Sequence, residues 1–155
     1  LIDHYDGLIP ELESTVLGQA RIHDPDNLRR LRSVRGVGKI LGLTLLYEIG
    51  DIARFPSVQT FSSYARLIKC SKESDGKKRG TSGAKIGNVH LKWAFSEAAI
   101  CFLEHNPPGQ NYLQRLRRKH AKGKALSVLA AKLGRATYFI LKQKTTFDMD
   151  RFLAN

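Results

Sequence analysis

The sequence has few cysteines and no long apolar run, and each shortage excludes a class of protein. Its two cysteines, Cys70 and Cys101, form neither a disulfide framework nor a zinc-binding pattern. No apolar run approaches the roughly 18 residues that a membrane-spanning helix needs, and no signal peptide is evident. These shortages favour a protein of a reducing cytoplasm that does not cross a membrane.

Acidic residues are also scarce, and this shortage points to a class of partner. The 155-residue chain has 14 Asp and Glu against 26 Lys and Arg, which leaves a net charge of +12. Such a balance favours a polyanion: DNA, RNA or, more weakly, an anionic membrane. The length predicts one domain, or one domain with an appended helix, large enough to bury a core.

The segment Cys70–Asn88 stands apart from the rest of the chain. It has four glycines, three serines and many Lys and Arg, but almost no apolar residue. This composition predicts a basic, hydroxyl-rich flexible loop, the least ordered internal stretch of the free chain. Function concentrates on loops that a rigid scaffold holds, so we expect any chemistry to lie here.

The remaining chain has the apolar periodicity of helices, which predicts an all-α fold without strands. Residues 1–26 are expected to be a connecting, coiled-coil-like helix that Pro10 kinks or divides. Residues 27–145 form the main domain, and residues 146–155 a loose C-terminal tail. Because the chain begins within a helix and not with Met, we expect it to be part of a longer protein.

The stretch Leu28–Gly50 resembles a helix-hairpin-helix motif, in which a glycine turn joins two short helices. Backbone N–H groups of Gly36 and Gly38 are expected to face a phosphate at the start of the second helix. Both glycines are expected to need special backbone geometry or close approach. Arg35 and Lys39 flank the turn and favour phosphate contact. The alternative is a helical hairpin without a ligand.

Three serines of the basic segment, Ser71, Ser74 and Ser82, are the candidate nucleophiles. A serine attacks only if its proton is accepted or the phosphate is activated, and spacing alone favours ordinary solvated residues. Cys101 and His105 lie one helical turn apart, but no further ligand stands at matching spacing, so no metal site is predicted.

Five ordered blocks of the sequence match a known pattern. They are Leu31–Gly38, Glu48–Asp51 with Arg54-Phe55, Phe61–Ala65, Glu73–Lys77 and Gly80–Ala94. With these blocks, residues 28–144 resemble the C-terminal domain of the IS110/IS116 family of insertion-sequence transposases. Five blocks in order at family-like spacing are far more specific than any one of them.

The resemblance implies that Ser74 is a DNA nucleophile that forms a phosphoserine link during transposition. Asp75 departs from the small residues that family members often have there, and its effect on Ser74 is left open. The phosphates are expected to be held by a basic set: Lys72, Lys77, Lys78, Arg79 and Lys85.

The family's other half is a RuvC-like domain with four acidic residues, which has no counterpart in this sequence. Magnesium is therefore expected in that half and no cofactor in this one, so the chain alone is expected to be inactive. The implied partners are DNA, a guide (bridge) RNA and further copies of the protein, in a bacterial cytoplasm. The alternatives are a non-catalytic helix-hairpin-helix DNA-binding module and a basic RNA-binding protein.

Overall fold

A computed structural model describes the backbone of residues 2–68, 70–74, 77–82 and 86–154, and the side chains of residues 6–68 and 86–154. The described part consists mainly of helices, so the predicted all-α class is confirmed. The α-helices are α1 (Ile2–His23), α2 (Pro25–Ser33), α3 (Lys39–Ile49), α4 (Val58–Tyr64), α5 (Val89–Leu103), α6 (Pro107–Arg117), α7 (Lys122–Gln143) and α8 (Met149–Ala154). A 3₁₀ helix spans Ile52–Arg54, and two strands, β1 (Cys70–Ser74) and β2 (Lys77–Ser82), complete the set.

The core forms where α5 packs between α3 and α7. The apolar residues of α5 recur with the 3.6-residue period of a helix and form a stripe that is buried along its length. Phe61 of α4 meets Phe95 edge-on, with ring centroids 6.2 Å apart. Leu129 and Leu133 of α7 are completely buried. Each such side chain contributes about 1.5–3 kcal/mol on burial, so α7 is essential to this core.

The first helix, α1, continues through Pro10, so of the two expected alternatives, a kink or a division at Pro10, the division is wrong. Only Asp24 separates α1 from α2. The Asp24 carboxylate caps α2 by accepting the N–H of Asn27 at 3.0 Å. Pro25 suits the first helical position because its missing N–H would have no intrahelical partner there. None of the described helices is long and apolar enough to cross a membrane.

The last residues of the chain were expected to be a loose tail, and this expectation is wrong. They form α8, and Phe152 is only 6% exposed. Its ring lies 5.2 Å from that of Phe102 in α5.

The Lys132 ammonium of α7 lies 4.2 Å from the ring centroid of Tyr112 and 5.0 Å from that of Phe152. Burial, with the nearby positive charge of Arg115, lowers the pKa of Lys132.

The basic segment contains the two strands, which corrects the expectation of a loop without strands. The strands β1 and β2 pair antiparallel, with Cys70 opposite Ser82 and Ser74 opposite Lys77. The register shifts between Ser71 and Glu73. We call this pair of strands the ribbon. Only two residues lie between Ser74 and Lys77, and Asp-Gly is a sequence that two-residue hairpin turns prefer. This signal could have predicted the ribbon.

Candidate nucleic-acid interface

The ribbon carries most of the predicted site residues. Ser74 is the last residue of β1, and its backbone pairs with that of Lys77, the first residue of β2. The side-chain positions of the predicted nucleophile and cations of this segment lie outside the described residues: Lys72, Ser74, Lys77, Lys78 and Arg79. The whole of Lys85 lies outside them as well.

The chain enters and leaves the ribbon at one place on the helical body. The carbonyl of Tyr64, at the end of α4, accepts the backbone N–H of Asn88 at 2.6 Å. Arg66 donates from Nε to the Gly87 carbonyl at 3.0 Å. Gly87 has φ +101°, and a Cβ there would lie 2.5 Å from the Tyr64 carbonyl oxygen. Only glycine therefore allows the two ends of the segment to meet this closely.

Four polar side chains form a network at the foot of the ribbon. We call Glu48, Arg54, Tyr64 and Asn88 the foot network. The Asn88 Nδ2 donates to Glu48 Oε2 at 2.6 Å and, at the long limit of 3.5 Å, to the Tyr64 hydroxyl. The Asn88 Oδ1 accepts the N–H of Leu91 at 2.9 Å and so caps α5. One side chain thus joins α3, α4 and α5 beneath the ribbon.

Arg54 completes the foot network from the 3₁₀ helix. Its guanidinium donates to the Glu48 carbonyl at 3.3 Å and lies 4.8 Å from the ring centroid of Tyr64. Hydrogen bonding from Asn88, then from Arg54, lowers the pKa of Tyr64. No functional role was predicted for these residues from the sequence, although each belongs to a block that carries the family resemblance. Local sequence patterns cannot predict that these residues meet, because Glu48 and Asn88 are 40 residues apart.

We expect Asn88→Asp to destabilise the protein by about 1–2 kcal/mol, although Asp caps helices as well as Asn does. The new carboxylate would replace an amide donor 2.6 Å from the Glu48 carboxylate and would repel it. Urea denaturation measures the difference. The matched control is Asn88→Asp with Glu48→Gln, which restores a donor and should recover most of the loss. Equal stability of Asn88→Asp and the wild type would show that the contact with Glu48 contributes nothing.

The glycine turn between α2 and α3 is real, but its two glycines have different roles. Gly36 has φ +89°, and a Cβ there would lie 2.5 Å from the Ala98 carbonyl oxygen and 2.6 Å from the Phe102 nitrogen. Gly38 has φ −80° and ψ −164°, and a Cβ there would have no neighbour within 4 Å. The expected backbone requirement is therefore correct for Gly36 and wrong for Gly38, whose conformation any residue adopts.

The start of α3 beside Gly38 is open to a ligand. No side chain caps this helix, and the first intrahelical bond runs from the Gly42 N–H to the Gly38 carbonyl at 2.9 Å. The preceding N–H groups have no intrahelical acceptor and carry the positive end of the helix dipole. An anion can approach them without meeting a side chain on Gly38.

The two cations that flank the turn have partners within the protein. Arg35 donates to the His105 carbonyl at 2.6 Å and so ties the turn to the end of α5. Lys39 lies 3.6 Å from the Glu13 carboxylate of α1, in a pair with both side chains partly exposed. Exposed pairs contribute little and exchange readily, so Lys39 remains available to a phosphate.

A second basic surface lies at the end of α6 and the start of α7. All its side chains are exposed, and none has an ion-pair partner among the described residues: Arg115, Arg117, Arg118, Lys119, Lys122 and Lys124. Unpaired cations on one part of a surface favour a polyanion.

The described residues contain no group of three or more His, Cys, Asp or Glu that could hold a metal ion. The magnesium that the resemblance implies would be held by the carboxylates of the family's RuvC-like half.

The glycine turn, the foot network and the ribbon all lie in the part of the chain that matches one protein family. The model of the Transposase IS116/IS110/IS902 family matches residues 28–114, more than half of the chain. The chain therefore belongs to this family, with a role in insertion-sequence transposition and an interaction with DNA. None of the curated proteins matches the chain. The matched region ends within α6, so α7 and α8 lie beyond it.

Proposed function

We propose that this chain is the DNA-binding, serine-nucleophile domain of an insertion-sequence transposase. The Ser74 Oγ attacks a DNA phosphodiester, so that an O–P bond forms to the serine. The bond from phosphorus to the leaving strand oxygen breaks, and that oxygen departs with a proton. The phosphoserine then holds the cleaved strand until a second strand end attacks and is joined.

The observation that carries this proposal is the anchored ribbon in a chain of this family. Both ends of the segment are bonded to the helical body through Tyr64, Arg66 and Asn88. A nucleophile on a ribbon held this way samples fewer positions than one on a free loop. Less entropy is therefore lost when it attacks. The basic residues of the segment then hold phosphates and stabilise charge that develops on the reacting phosphoryl group.

The α2–turn–α3 unit acts in this proposal as a helix-hairpin-helix that binds backbone phosphate. The support is the uncapped, open start of α3 at Gly38. A non-catalytic module that binds only duplex DNA would use the same contact. A covalent protein–DNA adduct therefore separates the two functions, whereas binding alone does not.

We further propose that the full-length protein is guided by an RNA, acts as an oligomer and resides in a bacterial cytoplasm. The support for pairing of α1 with another helix is a set of exposed apolar residues at helical spacing, all in the part of α1 with described side chains: Leu8, Ile9, Leu12 and Val16. A helix with an apolar face of this kind is stable when a second helix covers it.

We expect affinity for duplex DNA or folded RNA to fall steeply with salt, with a log–log slope of at least roughly −3. The reason is that each neutralised phosphate contributes about −0.9 to the slope on B-DNA, and the chain carries a charge of +12. Fluorescence anisotropy with labelled duplexes at several salt concentrations measures it.

The matched variant for this titration replaces Lys77, Lys78 and Arg79 with Gln. Its slope should be smaller in magnitude by about 1 for every phosphate that the variant no longer neutralises. A flat titration of the wild type would rule out nucleic-acid binding. If the wild type has a steep slope and the triple variant has the same slope, the ribbon is not part of the binding surface.

A further inference from the structure

The bend between α1 and α2 contains a cavity of about 430 Å³. Its lining residues come from the last turn of α1 and from α2: Arg21, Pro25, Leu28, Arg29, Arg32 and Ser33. We call this cavity the elbow pocket. Half of its lining residues are arginines, and no acidic residue lines it.

We propose that the elbow pocket binds a phosphate of a nucleic-acid backbone, separate from the ribbon and from the start of α3. The inference rests on the proposed function, because it adds a contact to the same nucleic-acid partner. The class of ligand is a sugar–phosphate unit, with the phosphate against the arginines.

The charge in the elbow pocket is largely uncompensated. Arg21 and Arg32 have no carboxylate partner among the residues whose side chains are described. Arg29 lies 3.4 Å from Asp26, but both side chains are mostly exposed, and Asp26 also contacts Arg30. Guanidinium groups bind phosphate oxygens through paired N–H donors, which makes arginine the preferred residue for such a site.

The walls of the elbow pocket are ordered by contacts within the protein. The aliphatic stem of Arg32 lies on α3, where its Cγ is 2.9 Å from the position of a Cβ on Gly42. Glycine at this position leaves the room that the stem occupies. Ser33 Oγ donates to the Arg30 carbonyl at 2.6 Å and accepts the Phe147 N–H at 2.9 Å. A pocket that is held this way before binding loses less entropy when the ligand arrives.

The size and lining favour a sugar–phosphate unit over a bare anion. A volume of about 430 Å³ is comparable to small-molecule sites and much larger than phosphate needs. Pro25 and Leu28 supply apolar surface on which a sugar can rest, beside the arginines that face its phosphate. The phosphodiester of DNA and that of RNA share this chemistry, so the experiment includes both.

The test removes two charges with Arg21→Gln and Arg32→Met in this chain, because Met preserves the stem that packs on Gly42. We expect the dissociation constant for a labelled 20-base-pair DNA duplex, or for an RNA hairpin of equal length, to rise about tenfold. The log–log salt slope should fall in magnitude by about 1, since the pocket neutralises one phosphate. If affinity and slope magnitude fall with DNA alone, the pocket binds DNA. If they fall with RNA alone, the pocket binds RNA.

The matched control removes two exposed charges that belong neither to the elbow pocket nor to the other basic surfaces, with Lys92→Gln in α5 and Arg135→Gln in α7. If the arginine variant loses no more affinity than this control on either nucleic acid, the elbow pocket is not a phosphate site, while the transposase proposal stands. A flat salt titration of the wild type overturns both. If the double variant melts early, Arg21→Gln alone must weaken binding more than Lys92→Gln alone does.

Discussion

Gly36→Ala should destabilise the domain by about 2–6 kcal/mol, whereas Gly38→Ala should change its stability by less than about 1 kcal/mol. The residues are separated by one position, so the pair is a matched comparison. At Gly36 a side chain meets backbone atoms of Ala98 and Phe102 at 2.5 and 2.6 Å, which cannot move without shifting α5. Strain at positive φ and overpacking each cost about 1–3 kcal/mol.

Gly38 differs because its methyl group would point into open space at an ordinary φ. Alanine is a slightly poorer helix cap than glycine, but it also restricts the unfolded chain, and the two effects nearly cancel. Urea denaturation measures both variants. Since total stability of a domain is about 5–15 kcal/mol, Gly36→Ala can remove a large part of it. If Gly36→Ala were as stable as the wild type, the turn would not pack on α5 in this way.

The same pair also tests the helix-hairpin-helix proposal. If a phosphate approaches the N–H groups at the start of α3, a bulkier residue should block it. We expect Gly38→Val to fold normally and to bind duplex DNA about tenfold more weakly. Unchanged binding by a folded Gly38→Val would mean that this turn does not contact phosphate.

Ser74→Ala should abolish the covalent DNA adduct of the full-length transposase while leaving DNA affinity nearly unchanged. Loss of one hydroxyl removes the nucleophile but no charge, and charge dominates affinity for nucleic acid. The assay incubates the full-length protein with Mg²⁺, guide RNA and target DNA, and mass spectrometry locates the nucleotide. This chain alone should form no adduct if the family's RuvC-like half supplies the metal that stabilises charge during the attack.

Ser71→Ala and Ser82→Ala are the matched controls, because both remove a hydroxyl from the same ribbon. In the register of the strands these residues lie toward the end of the ribbon where Cys70 pairs with Ser82, whereas Ser74 lies at the opposite end. We expect both variants to retain most of the adduct. A nucleotide found on Ser71 or Ser82 would move the active site, and recombination by Ser74→Ala would exclude Ser74 as the nucleophile.

Local patterns predicted the helices well but not their ends or their neighbours. The Asn88 side chain caps α5, and a cap of this kind acts within one turn of its own helix. The same side chain also bonds Glu48, which no local pattern indicates. The tail of residues 146–155, which holds Phe152, was expected to be loose, yet the ring packs against Phe102. Asp75-Gly76 did carry a hairpin signal, which the surrounding Lys and Arg obscured.

The sequence by itself determined the all-α class, the basic character of the partner-binding surface and the membership of the transposase family. These properties depend on composition, helical period and the order of short blocks, all of which are local. Only the tertiary structure decided that Gly36, and not Gly38, is required by packing, that α7 completes the core, and that Glu48, Tyr64 and Asn88 meet beneath the ribbon. Such contacts depend on how helices distant in sequence pack, and that packing is determined by the whole core together.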